Sequence, residues 1–413
     1  MRVLLSDGSG LTSRQVAGRA KALGHTVGVL ASDPLALTRW TNAVQGWHKV
    51  PRFGIDPVRW LDVAVRIAVA GRYDVLLPTQ EQVTVLSWAQ GTDCWDSSVA
   101  TAVPPFRSLQ RVQDKISSAR TLAALGLPRP GFAVLHSEAS AEGRASFPAF
   151  VKPPIGTASF GVRRVNDRYQ LSAALESGGL REALHSGAGV LVEEAIDGPL
   201  AMVQAVFDRG RMVAFHANRR VAEGSGGGAS HKESIDLPDV RTDLTRLGNH
   251  LDWHGGLSAD VILSPARGPQ IIDINPRLVE PGNAMRSGVD LVATLLEVAI
   301  GGNPATGPSG TSGVRTHQLL LAILGAAQQD GSRRAVWWTT FEAMLHRGLY
   351  RGSSEELTPL TGDYRAVVPL AAALTLTSLL PRLGKGLASS STGTYAVSAQ
   401  GWEQLVGTFS NRP

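Results

Sequence analysis

The chain has 413 residues, 43% of them hydrophobic and 18% charged, a composition typical of a globular protein with room for two or three domains. Its single cysteine, Cys94, excludes an intrachain disulfide framework and a cysteine-based zinc site. The net charge is +5, but the basic residues are scattered and not interleaved with aromatic residues, so we expect no nucleic-acid partner. The apolar run before Asp7 is too short for a signal peptide, and the expected compartment is the cytoplasm.

Residues 1–103 are predicted to form an N-terminal α/β domain with a parallel sheet. Apolar strand segments (RVLLS, TVGVLAS and DVLLPT) alternate with helical patterns at 13–24 and 57–72, an order typical of parallel sheets. The turn DGSGLTS lacks the third small residue of a dinucleotide fingerprint, and no acidic partner follows convincingly, although Asp33 ends the second strand. We therefore expect a simple glycine turn there rather than an NAD site.

Residues 104–300 are predicted to form a second, α+β domain. After a linker at 103–108, the pattern predicts one helix over 109–126 and another near 170–185. Strands are expected at 148–154, 189–196, 200–208 and 211–218. The glycine-rich segment 223–234 is expected to be a loop, followed by a helix near 240–252 and a β-hairpin over 257–275.

Residues 301–413 are predicted to form a mostly helical C-terminal extension. Its most apolar part, Ala366–Pro381, has no charged residue, but it is shorter than the roughly 20 residues that span a bilayer, and Pro369 interrupts it. We favour a buried helix or a subunit interface, as in a homodimer, over attachment to a membrane surface. An oligomer interface and a cap over the substrate are both open roles for the extension.

The hairpin carries the most informative pattern in the chain. Asp273, Asn275 and Arg277 alternate with apolar residues, so the three polar side chains share one face of an extended strand. Closing the hairpin through Pro265–Gly268 pairs 263 with 270, 261 with 272, and Asp260 with Asp273.

Two facing carboxylates destabilise each other unless one is protonated or a cation lies between them. Together with the Asn275 amide they are suitable ligands for Mg²⁺, and Arg277 is placed to stabilise negative charge on a transferring phosphoryl group. A solvated strand face is the alternative interpretation.

Lysine is scarce in this chain: six of the forty basic residues are lysines, at 21, 49, 115, 152, 232 and 385. Lys152 ends a predicted strand just ahead of the glycine-bearing loop 155–162, where an ammonium and backbone N–H groups can hold phosphates. Glu193 and Glu194 end another strand, where free backbone groups can bind an adenine edge and a carboxylate can bind ribose. Solvated lysines and an exposed acidic turn remain the alternatives.

In this order and over this span, these residues resemble the ATP-grasp superfamily, in particular its carboxylate–amine ligases. The resemblance covers roughly residues 1–300, and its most specific element is Asp273-x-Asn275-x-Arg277 after the hairpin acid Asp260. It implies an N-terminal domain of the kind that precedes ATP-grasp modules, then ATP held between two α+β subdomains. The mobile lid subdomain would span about residues 118–195.

The resemblance also implies roles for individual residues. The ATP-binding set would be Lys115, Lys152, Gly156, Ser159, Phe160, Gly161, Glu193, Glu194 and Ile196. Asp260, Asp273 and Asn275 would hold Mg²⁺ (or Mn²⁺), and Arg277 and Lys232 would be catalytic. Residues 219–236 resemble a loop of some carboxylate–amine ligases, so Arg219, Arg220, His231 and Lys232 would face the phosphates or an anionic substrate. Arg286 is a further candidate for the substrate carboxylate.

Two departures from the family pattern bear on these roles. The usual glutamate after the adenine segment is missing from DGPLAM, residues 197–202, and the hairpin acid is an aspartate. The family reaction activates a carboxylate as an acyl phosphate, with release of ADP, and couples it to an amine. ATP-dependent carboxylation, simple phosphoryl transfer and a non-catalytic nucleotide-binding scaffold at a membrane are the alternatives.

Overall fold

The structure is a computed structural model that describes residues 1–137, 146–157, 161–307, 309–329, 331–358, 362–381 and 392–410. Its N-terminal layer is a parallel sheet of four strands in the order β3-β2-β1-β4, as the sequence predicted. The strands are β1 (Arg2–Leu5), β2 (Thr26–Ala31), β3 (Gly46–Lys49) and β4 (Val75–Leu77), and the helices are α1 (Leu11–Ala22), α2 (Pro57–Ala70) and α3 (Val83–Ala89).

Both faces of this sheet are covered, which is why its strands are apolar throughout. Val3 and Leu5 belong to one buried cluster, and Leu4 belongs to another on the opposite face. Strand β3 was missed because the residues GWHK are short and half-polar. Helix α2 begins where the Asp56 carboxylate accepts the backbone N–H of Arg59 and Pro57 occupies the first turn.

The helix predicted over 109–126 is wrong as one element, because the chain breaks it into α4 (Phe106–Gln113) and α5 (Lys115–Ala124). Asp114 has extended backbone angles, and its carboxylate accepts the backbone N–H of Ser117, which caps α5. Phe106 is buried within α4 rather than in a linker. The break places Lys115 at the first position of a new helix, beside the site described below.

A smaller antiparallel sheet follows, in the order β5-β8-β6-β7. Its strands are β5 (Phe132–Leu135), β6 (Ala149–Lys152), β7 (Arg163–Val165) and β8 (Val190–Glu194). The single helix predicted near 170–185 is wrong: two helices, α6 (Arg168–Leu175) and α7 (Gly178–His185), are separated at Glu176 and Ser177, and Gly178 has a φ of 45°. Their buried leucines pack on Val151 and Val192 of the sheet.

The largest sheet has seven strands in the order β13-β12-β9-β10-β11-β14-β15. They are β9 (Leu200–Asp208), β10 (Arg211–Glu223), β11 (Ala229–Ile235), β12 (Gly255–Ser264), β13 (Gly268–Asn275), β14 (Arg315–His317) and β15 (Ser353–Glu355). Helix α8 (Pro238–His250) packs on one face through Leu244 and Leu247. Helices α9 (Gly282–Arg286) and α10 (Leu291–Ala299) lie between the other face and the N-terminal layer.

The loop predicted over 223–234 is wrong for its second half, which is strand β11. Only Ser225–Gly227 form a short 3-10 turn, in which Gly226 has a φ of 65°. From Ala229 the chain pairs with β10 on one side and β14 on the other. The sequence obscured this strand because its serine, histidine and lysine residues lack the apolar alternation of an ordinary strand.

The remaining helices are α11 (Leu319–Gln329), α12 (Arg333–Met344), α13 (Val367–Leu379), α14 (Thr392–Tyr395) and α15 (Ala399–Ser410). Helices α11, α12 and α13 share a small core that contains Ile323, Val336 and Leu370. Helix α15 instead buries Trp402 and Leu405 against the N-terminal layer and Phe106. No helix among the described residues is both long and apolar enough to cross a membrane.

Candidate active site

The hairpin of β12 and β13 brings Asp260 opposite Asp273, as predicted. The same register continues to Ser258, which lies opposite Asn275. Beyond Asp260 a β-bulge shifts the register, so the predicted pairs 263–270 and 261–272 are wrong: Val261 faces Ile271, and Leu263 faces Pro269. The two aspartates are therefore the last facing pair before the register shifts.

The aspartate pair has the electrostatics of a cation site. Desolvation and, after it, the facing Asp273 carboxylate raise the pKa of Asp260 to about 7. A raised carboxyl pKa means that the ionised pair lacks enough positive charge, which a divalent cation supplies. No cluster of three or more histidine, cysteine, aspartate or glutamate side chains suited to a metal occurs among the described residues. Two carboxylates and the Asn275 amide therefore fit Mg²⁺, which takes few protein ligands along with water and phosphates.

Two predicted lysines converge on this hairpin from different elements. Lys115, at the start of α5, donates its Nζ to the Gly156 carbonyl at 2.9 Å and lies 3.3 Å from Asp273 Oδ1. Lys152, at the end of β6, lies 3.1 Å from Glu193 Oε1 and donates to the carbonyl of Ile272 at 3.0 Å. Each ammonium thus contacts both oxygens of one carboxylate and one backbone carbonyl.

A pocket opens between α5, the smaller sheet and the hairpin. It is lined by Lys115, Ser118, Ala119, Leu122, Arg129, Pro130, Phe132, Leu191, Glu193, Ile271, Ile272 and Asp273. Its lining combines apolar side chains with the charged groups of Lys115, Arg129, Glu193 and Asp273.

The predicted adenine residues lie at the edge of this pocket, but their side chains have protein partners. Burial raises the pKa of Glu193, and Lys152 offsets only part of that effect. Glu194 makes a bidentate ion pair with Arg267 in the hairpin turn, at 2.7 Å for both contacts, and this pair lowers the pKa of Glu194. The predicted ribose role of Glu194 therefore competes with an existing partner. Ile196 is half-buried just after β8.

Arg277 lies at a junction of three parts of the chain. Its guanidinium donates to Gln80 Oε1 at 3.1 Å and to Thr157 Oγ1 at 3.2 Å, and it lies 3.9 Å from Glu81. Gln80 and Glu81 follow β4, at the carboxyl edge of the N-terminal sheet. Arg277 thereby joins the hairpin to the N-terminal layer and to the glycine-bearing loop.

That loop is described only in part. Gly156 accepts the Lys115 hydrogen bond, and Gly161 has a φ of 77° with Pro153 packed closely beside it. The predicted phosphate-binding residues Ser159 and Phe160 lie outside the described residues.

The four substrate residues predicted in a loop lie instead on the paired strands β10 and β11. Because neighbouring residues of a strand point to opposite faces, Arg219 and Arg220 diverge, as do His231 and Lys232. Arg219 pairs with Glu233 at 3.4 Å on an exposed face, whereas Arg220 contributes to the electrostatics of Asp260. Arg286 is exposed and donates to the carbonyl of Glu355 at 3.4 Å. The structure thus leaves Arg220 on the side of the aspartates and corrects the placement of Arg219.

His231 is buried away from the aspartates, in an aromatic cluster. Its ring stacks on His317 with centroids 5.8 Å apart, and both rings meet Tyr350 edge-on. Burial lowers the pKa values of His231 and His317 to about 4, so both are neutral near pH 7. A role in binding an anion is incompatible with these surroundings.

The predicted catalytic role of Lys232 is also incompatible with its contacts. Its Nζ lies 2.7 Å from Glu280 Oε2 and 2.9 Å from Glu356 Oε2, and the side chain is 3% exposed. Burial alone would lower the pKa of Lys232, but the two carboxylates outweigh it and raise the pKa. Since Gln15 of α1 also bonds to Glu356, this cluster joins the N-terminal layer, the main sheet and the C-terminal region.

Sequence reasoning missed Asn218, which lies on the floor of the candidate site. Through the strand pairing, Asp273, Asp260, Met202 and Asn218 form one row across the sheet. Asn218 is 1% exposed, and its buried Oδ1 has no hydrogen-bond partner among the described residues. The available signal was its spacing of two residues from Arg220, which places both side chains on one face.

Comparisons with known proteins identify the fold. A family model described as the C-terminus of D-Ala–D-Ala ligase matches residues 121–226. The chain also superposes on the biotin carboxylase domain of Hydrogenobacter thermophilus 2-oxoglutarate carboxylase with a TM-score of 0.61, at 15% identity over 76% of this chain and 73% of that chain. The chain has an ATP-grasp fold.

Two further solved structures share this ATP-grasp fold. L-amino acid ligase from Bacillus licheniformis has a TM-score of 0.54, at 19% identity over 74% of this chain and 75% of that one. N5-carboxyaminoimidazole synthetase from Staphylococcus aureus, solved with ADP, has a TM-score of 0.60, at 13% identity over 80% and 86%. At these identities the likeness establishes the fold alone.

A curated sequence relative is the uncharacterized protein y4rH of Sinorhizobium fredii, 27% identical over 218 residues. The match spans 48% of this chain and 44% of that protein, so this chain covers less than half of the relative's length.

Proposed function

We propose that the protein is an ADP-forming ligase that uses ATP and Mg²⁺ to activate a carboxylate as an acyl phosphate and couples it to an amine. The observation that carries the proposal is the convergence of Lys115 and Lys152 on the hairpin that holds the facing aspartates, with Arg277 two residues past its end. A module that only binds nucleotide needs neither a cation site of this kind nor a guanidinium beside it.

In this proposal the pocket binds ATP with its base between the apolar walls and its phosphates towards the hairpin. Lys115 and Lys152 are each paired with a single carboxylate, and phosphate oxygens would share their ammonium groups. Asp260, Asp273 and Asn275 would hold Mg²⁺, which neutralises phosphate charge when bound. Arg277, held by Gln80 and Thr157, is oriented to stabilise the charge that develops on the transferring phosphoryl group.

The reaction then has two balanced steps. A substrate carboxylate oxygen attacks the γ-phosphorus, the bond from that phosphorus to the bridging oxygen breaks, and ADP leaves with the electron pair. The amine nitrogen then attacks the acyl carbon, inorganic phosphate leaves, and the nitrogen loses a proton. Because acyl phosphates hydrolyse, the site must exclude water, and the glycine-bearing loop next to Arg277 is the segment suited to cover it.

The second candidate is ATP-dependent carboxylation, because two of the solved structures with this fold are named as a carboxylase domain and a carboxyaminoimidazole synthetase. The two reactions share the phosphoryl-transfer step and differ in the carboxylate, which is bicarbonate in a carboxylation.

The test is product analysis with hydroxylamine as a surrogate amine. Purified protein is incubated with MgATP and pools of carboxylates, and nucleotide and hydroxamate products are measured. ADP together with a hydroxamate supports the ligase. AMP would contradict the acyl-phosphate route, and ADP formed only with bicarbonate would favour carboxylation.

A matched pair of variants shows whether the hairpin performs the chemistry. Asp273→Asn removes a carboxylate from the proposed cation site and is expected to reduce turnover at least about 1000-fold. Asp239→Asn, an exposed change on α8, is expected to leave turnover unchanged. Full activity of folded Asp273→Asn would contradict the proposal that Asp273 binds the metal.

A further inference from the structure

Exposed apolar side chains are concentrated in one part of the C-terminal region. Of the twenty large hydrophobic residues exposed among those the structure describes, eleven lie between Trp337 and Leu380. On helix α12 they are Trp337, Trp338, Phe341 and Met344, followed by Leu345. Trp337 and Trp338 are 55% and 59% exposed, whereas the other seven tryptophans of the chain are buried or half-buried.

The exposed residues form one face of α12. Trp337, Phe341, Met344 and Leu345 follow helical spacing, and Val336 and Thr340 on the opposite side are buried against the helical core. Arg333 at the start of α12 donates to the carbonyl of Leu379 at 2.9 Å. The exposed Leu379 and Leu380 at the end of α13 therefore extend the apolar surface at that end.

Residues 366–381 are the apolar segment that the sequence indicated, but in the structure the exposed aromatic side chains lie on helix α12. Helix α13 buries Leu370, Ala373 and Thr377 and packs on α11 and α12. Helix α12, which looks unremarkable in hydropathy because arginines flank it, presents the aromatic face. Below, "the α12 face" means Trp337, Trp338, Phe341, Met344 and Leu345.

Basic residues surround the α12 face at both ends. The exposed groups are Arg333, Arg334, His346, Arg347, Arg351 and, beside α13, Arg365. The acidic residues described in the same two segments are Glu342 and Asp363, and Asp363 is occupied by the hydroxyl of Thr41 and the backbone N–H of Asn42. Aromatic and aliphatic side chains on one side, with arginines flanking them, form the pattern of a helix that lies in a membrane–water interface.

We propose that the α12 face docks on an anionic lipid surface, with the helix parallel to the membrane plane. Charge complementarity decides this occupant against a second copy of the chain. In a two-fold pairing of α12 with itself the two helices run antiparallel, so the start of one copy meets the end of the other. Arg334 of one copy would then approach Arg347 of the other. An anionic bilayer attracts the arginines at both ends and accepts the tryptophan rings at its interface.

Vesicle co-sedimentation tests the proposal without a known substrate. The full chain is mixed with vesicles of phosphatidylcholine, or of phosphatidylcholine with about one part in three of phosphatidylglycerol. We expect at least fivefold more pelleting with the anionic vesicles at about 0.1 M salt, and loss of most of that excess at about 1 M, where the screening length falls to about 3 Å. Equal binding to both vesicles, or none, overturns the proposal.

Paired variants locate the contact. Trp337→Ala with Phe341→Ala removes apolar area, and Arg334→Glu with Arg347→Glu reverses the charge at both ends; each pair should reduce anionic-vesicle binding at least fivefold. The controls Tyr169→Ala, an aromatic residue 88% exposed on α6, and Arg59→Glu, exposed on α2, should leave it unchanged.

Sedimentation velocity without lipid tests the alternative that a second copy of the chain covers the α12 face. A dimer that Trp337→Ala with Phe341→Ala converts to monomer, together with no binding to anionic vesicles, would overturn the lipid proposal and identify the α12 face as a subunit interface. Unchanged melting temperatures of all variants establish that loss of binding is local, because every substituted side chain is exposed.

Discussion

Lys152 and Lys232 are both buried lysines next to carboxylates, yet their surroundings differ in kind. Lys152 meets one carboxylate, Glu193, and a backbone carbonyl, and its partner Glu193 lines an open pocket. Lys232 meets two carboxylates, Glu280 and Glu356, in the interior where three parts of the chain join. Lys152 is thus paired with a single carboxylate, whereas the charge of Lys232 is balanced by two.

The difference shows what kind of burial indicates function. A buried cation paired with two carboxylates is electrostatically satisfied, and binding an external anion would require breaking that arrangement. A cation paired with one carboxylate that itself lines a pocket can share its charge with a bound phosphate. The four predictions that follow test this contrast, beginning with the largest expected effect.

Replacing Lys232 should destabilise the fold rather than remove catalysis. Lys232→Met leaves Glu280 and Glu356 facing each other in the interior, which should cost about 3–5 kcal/mol of unfolding free energy, measured by urea denaturation. The control Lys49→Met, at an exposed position, should cost almost nothing. If Lys232→Met keeps wild-type stability but loses nucleotide-dependent turnover, the catalytic role first predicted for Lys232 is restored.

Replacing Lys152 should weaken nucleotide binding more than it destabilises the fold. Lys152→Met removes a phosphate-binding ammonium, and MgATP affinity measured by calorimetry should fall about 100-fold, which corresponds to about 2.7 kcal/mol. The loss of stability should be smaller than for Lys232→Met because a single carboxylate at a pocket wall can take up a proton or water. Equal MgATP affinity in Lys152→Met and wild type would contradict the assignment of the pocket.

The aromatic cluster behind Lys232 should make stability sensitive to acid. Burial lowers the pKa of His231 to about 4, below its ordinary value of 6.5, so the unfolded chain binds more protons between these values. The stabilising contribution is complete above about pH 6.5 and is lost as the pH falls towards 4; at pH 5 the loss is about 2 kcal/mol.

His231→Phe keeps a ring against Tyr350 but removes the titration. Urea midpoints measured from pH 7 to pH 4.5 should therefore fall less steeply for His231→Phe than for wild type. The exposed His250→Gln serves as the control. Parallel profiles for wild type and His231→Phe would show that His231 does not titrate as its burial implies.

The smallest effect is expected at the edge of the proposed nucleotide pocket. The Arg267–Glu194 pair is bidentate but exposed, so Arg267→Ala should leave the melting temperature nearly unchanged. Because Glu194 is then free to approach a ribose, MgADP affinity should stay equal or rise slightly. A large drop in affinity would show that the pair itself orders the pocket edge.

The facing aspartates were predictable because their signal is local: a hairpin between apolar strands brings Asp260 opposite Asp273. The expectation that Arg277 continues the same extended strand is wrong, because β13 ends at Asn275 and Arg277 lies in the bend that follows. The register beyond the bulge was not predictable, because one extra residue in a strand leaves no mark in the hydrophobic pattern. Glu194 illustrates a second limit, since its partner Arg267 is distant in sequence.

The prediction for the segment around Lys232 was wrong for a different reason. Glycines and polar residues predicted a loop, but strands β10 and β14 supply hydrogen bonds on both sides of β11, and burial comes from residues far along the chain. His231 and Lys232 therefore point to opposite faces, which no loop model anticipates. Asn218 was overlooked because a lone buried amide becomes informative only when its neighbours are known.

The sequence by itself determined the parallel N-terminal layer and the hairpin with its facing aspartates, since periodicity and residue type act over short distances. Tertiary structure alone decided which lysines lie next to the aspartates, which arginine is on their side of the sheet and which helix carries the exposed aromatic face. Those outcomes depend on what packs against each side chain, and long-range contacts have no signature in the local order of residues.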